Sequence, residues 1–294
     1  MRGDRCADEA LLMRPRRSAL FMPGINERAM AKARSLACDV VIFDLEDAVA
    51  ADSKISAREL VRKVLEQGGY GNRELVVRCN GSGTPWWDDD IEALAASPAN
   101  ALLFPKVERA EEVVELRERL NAPTGRRQDI WAMIETPRGV INVEEIAQSP
   151  VDVLVMGTSD LVADLRARHN DSRDSVLYAL SRCVNAARSE HRDVLDGVHL
   201  DLENAEAFER ICEQGRTLGF DGKCLIHPSQ LETANRVFGI EESALVRARQ
   251  ITKVWAETVS EGKGVAVVNG QLIEQLHYEA AKGLIAFSEL IDGV

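Results

Sequence analysis

The chain has 294 residues, 45% of them hydrophobic, and a formal net charge of −12. This length allows one large core, as in α/β barrels that fold as a single domain. The negative charge argues against nucleic acid as the main partner, and no apolar run approaches the length of a transmembrane helix. We therefore expect a protein that binds neither nucleic acid nor a membrane.

The amino-terminal residues 1–14 predict a flexible leader, because their charges alternate and their apolar run is too short for a signal peptide. Six cysteines are scattered along the chain without a C-x-x-C pair. This spacing favours reduced, buried thiols over disulfides or zinc ligands. Both features predict a cytoplasmic protein.

Across residues 15–235, short apolar runs alternate with amphipathic segments of helical length, which is the pattern of repeated βα units. The predicted strands are 18–22, 40–45, 75–79, 101–107, 130–135, 153–156, 197–202 and 223–226. Eight strands predict an α/β fold of the (β/α)₈ TIM barrel type, because that number closes the sheet around a filled interior. A doubly wound sheet is the alternative, since a sequence does not reveal strand order.

Capping residues mark the ends of several predicted helices. Asn26 is expected to cap a helix over 27–36, and Asn204 to cap a helix over 205–218 that ends at Gly219. These caps support the assignment of the intervening segments as helices.

The strand pattern stops after residue 235, and the last segment, 236–294, has a different character. A helix over 241–261 precedes a hairpin with a type I′ turn at Asn269 and Gly270. A last helix is predicted over about 276–290. We interpret this segment as a C-terminal helical and hairpin lid module that also serves oligomerisation.

Polar residues gather at the carboxyl ends of the predicted strands, where parallel sheets collect their chemistry. They are Asp44, Glu46 and Asp47, Arg78 and Asn80, Pro105 and Lys106, Glu135 and Thr136, Ser159 and Asp160, and His227. Each one alone could be a helix cap or a rim ion pair. Five acids and three bases at one rim require compensation, however, and a hard cation such as Mg²⁺ would supply it. Glu135 and Asp160 are the predicted metal ligands.

Seven runs resemble, in order and spacing, the HpcH/HpaI aldolase and citrate lyase beta-subunit family, from about residue 18 to residue 289. They are Arg17-Ser-Ala-Leu-Phe-Met-Pro-Gly24, Phe43-Asp-Leu-Glu-Asp-Ala-Val49, Val77-Arg-Cys-Asn80, Phe104-Pro-Lys-Val107, Ile134-Glu-Thr-Pro137, Gly157-Thr-Ser-Asp160 and Lys223-Cys-Leu-Ile-His-Pro228. The resemblance implies a TIM barrel, a Mg²⁺ ion, and cleavage or formation of a carbon–carbon bond in a 3-hydroxyacyl thioester. Malyl-CoA, citramalyl-CoA and citryl lyases are the relatives that it suggests.

The resemblance also implies roles for the residues around the metal. Glu135 and Asp160 match the family's metal ligands, with Glu135 also close to substrate. Arg78 matches the residue that binds the carboxylate and carbonyl of the keto acid. Glu46 and Asp47 match positions that hold metal-bound water, which makes them catalytic candidates together with Arg78.

A second set of roles concerns the CoA ester. Lys106 and its neighbour Pro105 lie in the motif that lines the family's acyl-CoA channel. Arg16 or Arg17 is expected to meet CoA phosphates. His227 is expected either to border the pantetheine channel or to be an oriented imidazole with a structural role at the rim.

The C-terminal hairpin departs from the family pattern at Glu274. In the relatives it resembles Gly-x-Met-Ile-Asp, with the aspartate reaching into a neighbouring subunit as an acid or base, whereas this chain has a glutamate, one methylene longer. The alternative role for Glu274 is to cap the helix that follows. A catalytic Glu274 implies a homo-oligomer, a trimer or hexamer.

The residue set suits a retro-aldol reaction, which needs a base for the 3-hydroxyl group, an electrophile for the keto acid, and stabilisation of an enolate. We therefore expect a Mg²⁺-dependent lyase that releases a 2-keto acid and an acyl-CoA. An aldolase for free hydroxy-keto acids, a hydroxyacyl-CoA thioesterase and a non-catalytic thioester-binding subunit remain open. The sequence does not choose among glyoxylate, pyruvate and oxaloacetate, because packing around one small group decides between them.

Overall fold

The computed structural model describes residues 14–120, 127–260, 262 and 264–292. The expected leader, 1–14, lies outside the described residues except for Arg14. Contacts divide the chain into two compact units, one spanning Arg16–Phe238 and the other including Gly239–Val294. No helix in the part of the chain that the structure describes is both long and apolar enough to span a bilayer.

Eight parallel strands form a closed barrel in chain order, in which each strand pairs with the next and the last pairs with the first. They are β1 (Ser18–Pro23), β2 (Val40–Asp44), β3 (Glu74–Arg78), β4 (Ala101–Phe104), β5 (Asp129–Ile134), β6 (Val153–Met156), β7 (Asp193–Asp196) and β8 (Gly222–Leu225). The predicted (β/α)₈ barrel is confirmed, and the doubly wound alternative is wrong.

Helices follow the strands around the barrel. They are α1 (Glu27–Ala33), α2 (Lys54–Gln67), α3 (Trp87–Ala95), α4 (Ala110–Leu120), α5 (Pro137–Ile141), α6 (Val143–Gln148), α7 (Thr158–Asp164), α8 (Leu177–Ser189), α9 (Ala205–Leu218) and α10 (Leu231–Val237). Short 3₁₀ turns occur at Ala51–Ser53 and Pro228–Gln230.

The predicted caps of α1 and α9 are confirmed. The Asn26 side chain accepts a hydrogen bond from Ala29 N, and the Asn204 side chain accepts one from Ala207 N. Gly219 ends α9 in the left-handed conformation, with φ of 103°, which glycine adopts at little cost. The first helix ends earlier than predicted, at residue 33 rather than 36.

Two strands differ from the prediction by more than one residue, for physical reasons. β4 ends at residue 104 rather than 107, because Pro105 has no amide hydrogen and Lys106 has a positive φ of 53°. The seventh strand is Asp193–Asp196, and the predicted 197–202 is the loop after it. Aspartates at both ends of β7 obscure its apolar pattern in the sequence. The loop after it has alternating apolar residues, which is the pattern of a strand.

The barrel interior is filled by side chains that point inward from the strands, as in other closed barrels. This inner cluster consists of Ala19, Val40, Ile42, Val76, Ala101, Leu103, Trp131, Met133, Val153, Val155, Leu195 and Cys224. A second cluster fills the space between strands and helices. The five described cysteines are buried and unbonded, as predicted, while Cys6 lies outside the described residues.

The C-terminal unit has a small core of its own. It contains α11 (Glu242–Ser260), an antiparallel hairpin of β9 (Ala266–Val268) and β10 (Gln271–Ile273), and α12 (Gln275–Asp292). Asn269 and Gly270 both have positive φ, 51° and 77°, as a type I′ turn requires. Trp255 stacks on Tyr278 with ring centroids 5.9 Å apart. The expected role of this C-terminal unit as a lid stays a prediction.

Candidate active site

The order of the strands brings the predicted rim residues together at the carboxyl end of the barrel. Asp44 ends β2 and Arg78 ends β3, and the register pairs these two residues directly. Glu135 follows β5, and Asp160 lies in the first turn of α7, directly after β6. The site is therefore assembled from adjacent strand ends, each fixed by the barrel.

Arg78 is the most firmly held charge of the rim. Its Nε and Nη2 donate to the two carboxylate oxygens of Asp44, both at 2.7 Å, and its guanidinium lies 5.0 Å from the ring centroid of Phe21. Burial alone would lower the pKa of Arg78, but Asp44 and the neighbouring acids outweigh it and raise the pKa. A permanently charged, planar group is thus fixed at the rim.

Glu46 and Asp47 contact the remaining terminal nitrogen of that guanidinium. Arg78 Nη1 lies 2.9 Å from Glu46 Oε2, outside hydrogen-bond alignment, and 3.2 Å from Asp47 Oδ2. Burial raises the pKa of Glu46 to about 7, although Arg78 opposes the shift. Asp47 is largely exposed, so its contact with Arg78 is screened by solvent and contributes little.

Lys54 holds the acidic turn in place, and sequence reasoning missed it. Its buried ammonium donates to the backbone oxygens of Leu45 at 2.8 Å and Glu46 at 2.7 Å, and lies over the Trp86 ring. The turn is also closed by Asp44, which accepts from the backbone nitrogens of Glu46 and Ala48. A lone lysine at the start of an amphipathic helix gave no signal of this role.

Glu135 is almost fully buried among acidic neighbours. Its Oε1 accepts a hydrogen bond from Lys106 N at 2.9 Å. Burial and, after it, the nearby Glu46 and Asp160 together raise the pKa of Glu135 to about 8. An ionised Glu135 therefore needs a compensating positive charge.

Lys106 supplies part of that charge from a strained backbone position. Its Nζ lies 3.1 Å from Asp160 Oδ2 and 3.8 Å from Glu46 Oε1. Partial burial would lower the pKa of Lys106, but Asp160 and Glu46 outweigh it and raise the pKa. Non-glycine residues with positive φ concentrate at functional sites, and Lys106 fits that pattern.

The lack of a side chain at Gly157 leaves space for the Glu135 side chain. A Cβ atom at this position would overlap the Glu135 side chain, including its Oε2. The glycine is therefore required by the close approach of the β6 end to the β5 end. Gly157 also serves as the N-cap of α7, so Asp160 is not the cap of that helix, and its carboxylate contacts Lys106 instead.

A cavity of about 420 Å³ opens at this rim. Its charged lining is formed by Asp44, Asp47, Arg78, Glu135 and Asp160, and its apolar lining includes Phe21, Pro23, Met133, Met156, Val198, Leu200 and Ile226. The mixture of a few converging charges with apolar walls is typical of small-molecule sites.

The donor atoms fit a hard divalent cation. No group of three or more histidine, cysteine, aspartate or glutamate side chains positioned for a metal occurs among the residues described. Glu135 and Asp160 offer carboxylate oxygens on one cavity, and Mg²⁺ is commonly held by one or two carboxylates, with water and substrate oxygens completing the shell. The buried Ser159 Oγ, which has no partner among the described atoms, lies on the same lining.

The structure corrects the predicted position of Arg17, because this residue does not lie at the carboxyl-end rim. It precedes β1, at the amino end of the barrel, where its backbone N and its side-chain Nε both donate to Asp39 Oδ2 at 2.8 Å. Arg16 is bound beside it by Glu74 and Asp193. The expectation that either arginine meets CoA phosphates at the site is wrong, since both are structural ion pairs at the opposite end.

Pro105 and His227 do lie at the carboxyl end. Pro105 is buried after β4. His227 is exposed after β8, and its Nδ1 accepts from Ser229 N at 3.2 Å, so it opens the 3₁₀ turn. Its neighbour Ile226, rather than His227 itself, is part of the cavity lining.

Fold and site together define a (β/α)₈ barrel protein with an acid-lined, arginine-containing pocket at the carboxyl end of its strands. The family model described as HpcH/HpaI aldolase/citrate lyase matches residues 17–228. The chain belongs to this family, and the resemblance seen in the seven runs is confirmed.

Two groups of relatives cover nearly the whole chain. A (3S)-malyl-CoA thioesterase of Cereibacter sphaeroides is 43% identical over 279 residues, which is 94% of this chain and 96% of the relative. The citrate lyase subunit beta of Leuconostoc mesenteroides subsp. cremoris is 34% identical over 271 residues, 89% of each chain.

A solved structure agrees with both the sequence and the fold. Protein CitE from Mycobacterium tuberculosis, crystallised with magnesium, acetoacetate and coenzyme A, is 33% identical. The match covers 91% of this chain and 96% of that one, with a TM-score of 0.72.

Proposed function

We propose that this chain is a Mg²⁺-dependent enzyme that cleaves, or forms, a carbon–carbon bond in a 3-hydroxyacyl-CoA ester and releases a 2-keto acid and an acyl-CoA. The observation that carries the proposal is that Arg78, Glu135 and Asp160 line one cavity. Support comes from the relatives, whose names include malyl-CoA and citrate lyase, and from CitE, which was crystallised with magnesium and coenzyme A.

Glu135 and Asp160 are the residues that would hold Mg²⁺. When bound, the ion supplies a Lewis acid for the oxygens of the keto-acid fragment and the positive charge that this acidic pocket needs. Lys106 then has a half-exposed ammonium at the border of the site, where it is available to the thioester side of the substrate. We assign Lys106 and Pro105 to binding of the thioester part of the substrate. We assign His227, next to Ile226, to the opposite border of the site.

Arg78 binds the carboxylate of the keto-acid fragment. Asp44 occupies Nε and one hydrogen of Nη2, so the groups left for substrate are on Nη1 and the far side of Nη2. Asp47 contacts Nη1 from an exposed position, and a substrate carboxylate displaces it at small cost. The buried Asp44 keeps the fork in its plane throughout, which a lysine could not match.

Proton transfer falls to the remaining carboxylates. Glu46, with a pKa of about 7, exchanges a proton readily near neutral pH, as a general acid or base should. We assign to Asp47, next to it in the chain, the holding of a water. Glu274 is the further candidate, on the hairpin of the C-terminal unit, where its carboxylate is exposed and the His277 ring accepts from Glu274 N.

Hydrolysis of the thioester is the second candidate reaction. The specific observation in its favour is that relatives at 43% identity over almost the whole chain are named (3S)-malyl-CoA thioesterases. The same charges that stabilise an enolate at the thioester carbon also serve water attack at that carbonyl. The two reactions differ in the bond that breaks.

Product identification tests both candidates together. The purified protein is incubated with Mg²⁺ and a panel of malyl-, citramalyl- and citryl-CoA, and products are identified by mass. A 2-keto acid with an acyl-CoA supports the lyase, whereas a hydroxy acid with free CoA supports the thioesterase. Chelation of Mg²⁺ should stop either reaction. Turnover that continues in chelator, or no turnover of any ester, contradicts the proposal.

Subunit mixing tests the role of Glu274 and the proposed homotrimer or hexamer. Arg78→Ala and Glu274→Ala proteins are each expected to be inactive, and exchange of their subunits should restore part of the activity if one subunit completes the site of another. Mixed oligomers without rescue would place Glu274 in the site of its own chain. Full activity of Glu274→Ala alone would remove it from catalysis.

A further inference from the structure

The cavity has an apolar wall that the proposed reaction does not use. Val198 and Leu200 come from the loop after β7, and Ile226 from the loop after β8. We call these three residues the apolar wall. Leu200 is 57% exposed and Ile226 is 37% exposed, although both are large and apolar. Apolar side chains that share a cavity with Arg78 and Glu135 are positioned to contact a ligand rather than to fill a core.

The loop after β7 is fastened at two alternate carbonyls. Lys223, fully buried in β8, donates from Nζ to Gly197 O and to Asp196 Oδ2. Gln230 donates from Nε2 to His199 O at 3.0 Å. In an extended chain, alternate side chains point to opposite sides. Val198 and Leu200 therefore share the cavity side.

His199, between them, packs away from the cavity. Its ring lies 5.8 Å from the ring of Phe208 on α9. This contact fixes the alternation, because a rotation of the loop would bury Leu200 and expose the imidazole instead. The backbone of the loop is thus set by its side-chain contacts as well as by the two carbonyl hydrogen bonds.

Gln230 joins the two loops that carry the apolar wall. It is 4% exposed, and its Oε1 accepts from Ile226 N at 3.0 Å and His227 N at 3.3 Å. The same amide group donates to the neighbouring loop at His199 O. One buried side chain therefore sets the separation of Ile226 from Val198 and Leu200.

We propose that the apolar wall determines which acyl substituent the enzyme accepts, and that Gln230 is the positioning residue that holds the wall together. This proposal rests on the proposed function, since it names the part of the site that reads the hydroxyacyl group. A substrate with an alkyl group on its hydroxyl-bearing carbon gains contact with the wall, while an unsubstituted one does not. Burial of one methylene-sized group corresponds to a preference of about fourfold.

The test compares two esters that differ by that one methyl group, malyl-CoA and citramalyl-CoA. The quantity measured is the ratio of kcat/KM for the methylated ester to kcat/KM for the unmethylated one, on the same preparation. This ratio is independent of the fraction of protein that is folded. Leu200→Ala should lower it by about fourfold through lost contact with the methyl group.

Gln230→Met should also lower the ratio, because it keeps the side-chain length but loses the hydrogen bonds to both loops. Its matched control is Gln128→Met. Gln128 is likewise buried and donates to backbone oxygens, among them Leu94 O at 3.0 Å, but it lies at the amino end of the barrel. Gln128→Met should lower the melting temperature and leave the ratio unchanged.

A binding measurement separates this proposal from the proposed function. The affinities of pyruvate and glyoxylate, which differ by the same methyl group, are measured by calorimetry with Mg²⁺ for each variant. One outcome is that the parent turns over neither ester and still binds pyruvate more tightly than glyoxylate. If Leu200→Ala and Gln230→Met then lose that preference, the role of the apolar wall is supported and the assigned reaction is wrong. The proposal for the apolar wall is wrong if both variants keep the parental ratio of kcat/KM values. It is also wrong if the parent binds pyruvate and glyoxylate equally well.

Discussion

The two ends of the barrel both carry buried charge, but they balance it differently. At the amino end, Arg16 is bound by Glu74 through two hydrogen bonds of 2.7 and 2.8 Å and by Asp193 at 2.5 Å, and Arg17 is bound by Asp39. Glu74, Asp193 and Asp39 each have a guanidinium partner in close contact. Such pairs are fully compensated and act as structure.

At the carboxyl end, acids outnumber the cations that face them. Asp44, Glu46, Asp47, Glu135 and Asp160 share Arg78 and Lys106. The pKa values of Glu46 and Glu135 are raised to about 7 and about 8, chiefly by burial. An excess of buried carboxylate destabilises the fold unless a ligand compensates it. Charge balance, rather than the presence of charge, therefore distinguishes the proposed site from the ion pairs of Arg16 and Arg17.

The largest effect is expected from Glu135→Gln or Asp160→Asn, which should lower Mg²⁺-dependent turnover by about 1000-fold or more, the scale of a lost Lewis acid. The fold should remain intact, because Glu135 is buried among other acids and Asp160 is partly exposed. Turnover is measured against Mg²⁺ concentration, and circular dichroism reports whether the fold is intact. Undiminished activity with the parental Mg²⁺ dependence would refute the metal assignment.

The control for that pair is Glu74→Gln at the amino end. It should cost roughly 2–4 kcal/mol of unfolding free energy by leaving Arg16 without its main carboxylate partner. Its turnover per folded molecule should equal that of the parent. A Glu74→Gln protein that keeps parental stability would break the comparison between the two ends.

Arg78→Lys should lower turnover by roughly 100-fold while changing the KM for the CoA ester less. Lysine keeps the charge but cannot bind Asp44 and a substrate carboxylate in one plane. Steady-state kinetics on the ester identified by mass measures the two constants. A lysine variant that works at the parental rate would show that the planar fork is not needed.

Gly157→Ala should lower turnover by about 10-fold to 100-fold, because the new methyl group displaces the carboxylate of Glu135, the proposed metal ligand. Gly81→Ala is the matched control on the same rim, where a Cβ would make an ordinary 3.7 Å contact with Pro105. Equal activity of the two variants would mean that the position of Glu135 is not critical.

The smallest effect concerns pH and stability without metal. The pKa of Glu135 is raised from 4.5 to about 8, so the folded protein binds more protons than the unfolded chain between those values. Stability is therefore lost as pH rises through this window and regained on acidification. In chelator, Glu135→Gln should melt several degrees above the parent near pH 8 and close to it near pH 5. Parallel melting curves across that range would contradict the raised pKa.

The sequence predicted the barrel and most of the rim for a physical reason. Strands covered on both faces read as continuous apolar runs, and the polar residues directly after them must meet at one edge. The sequence therefore predicts that Asp44, Arg78, Glu135 and Asp160 lie together, and the structure brings them to one cavity. The role of Arg17 was expected from the resemblance alone, whereas its position just before β1 puts it at the amino end of the barrel.

The missed features depend on contacts that leave no local pattern. Gln230 and Lys54 act through hydrogen bonds to backbone oxygens of other loops, and no spacing in the chain announces such a partner. β7 was displaced because Asp196, at its end, is buried against Lys223 and Arg173. A buried aspartate looks like a turn residue in a sequence, since its partners lie far along the chain.

Keto-acid binding followed by calorimetry, with and without Mg²⁺, tests the central claim most directly. The account predicts that pyruvate, glyoxylate or oxaloacetate binds the parent only when Mg²⁺ is present. It also predicts that this binding is lost in both Glu135→Gln and Arg78→Ala, while Glu74→Gln retains it. Binding of equal strength in chelator, or in Glu135→Gln, would contradict the assignment of the acid-rich end as a metal-assisted site.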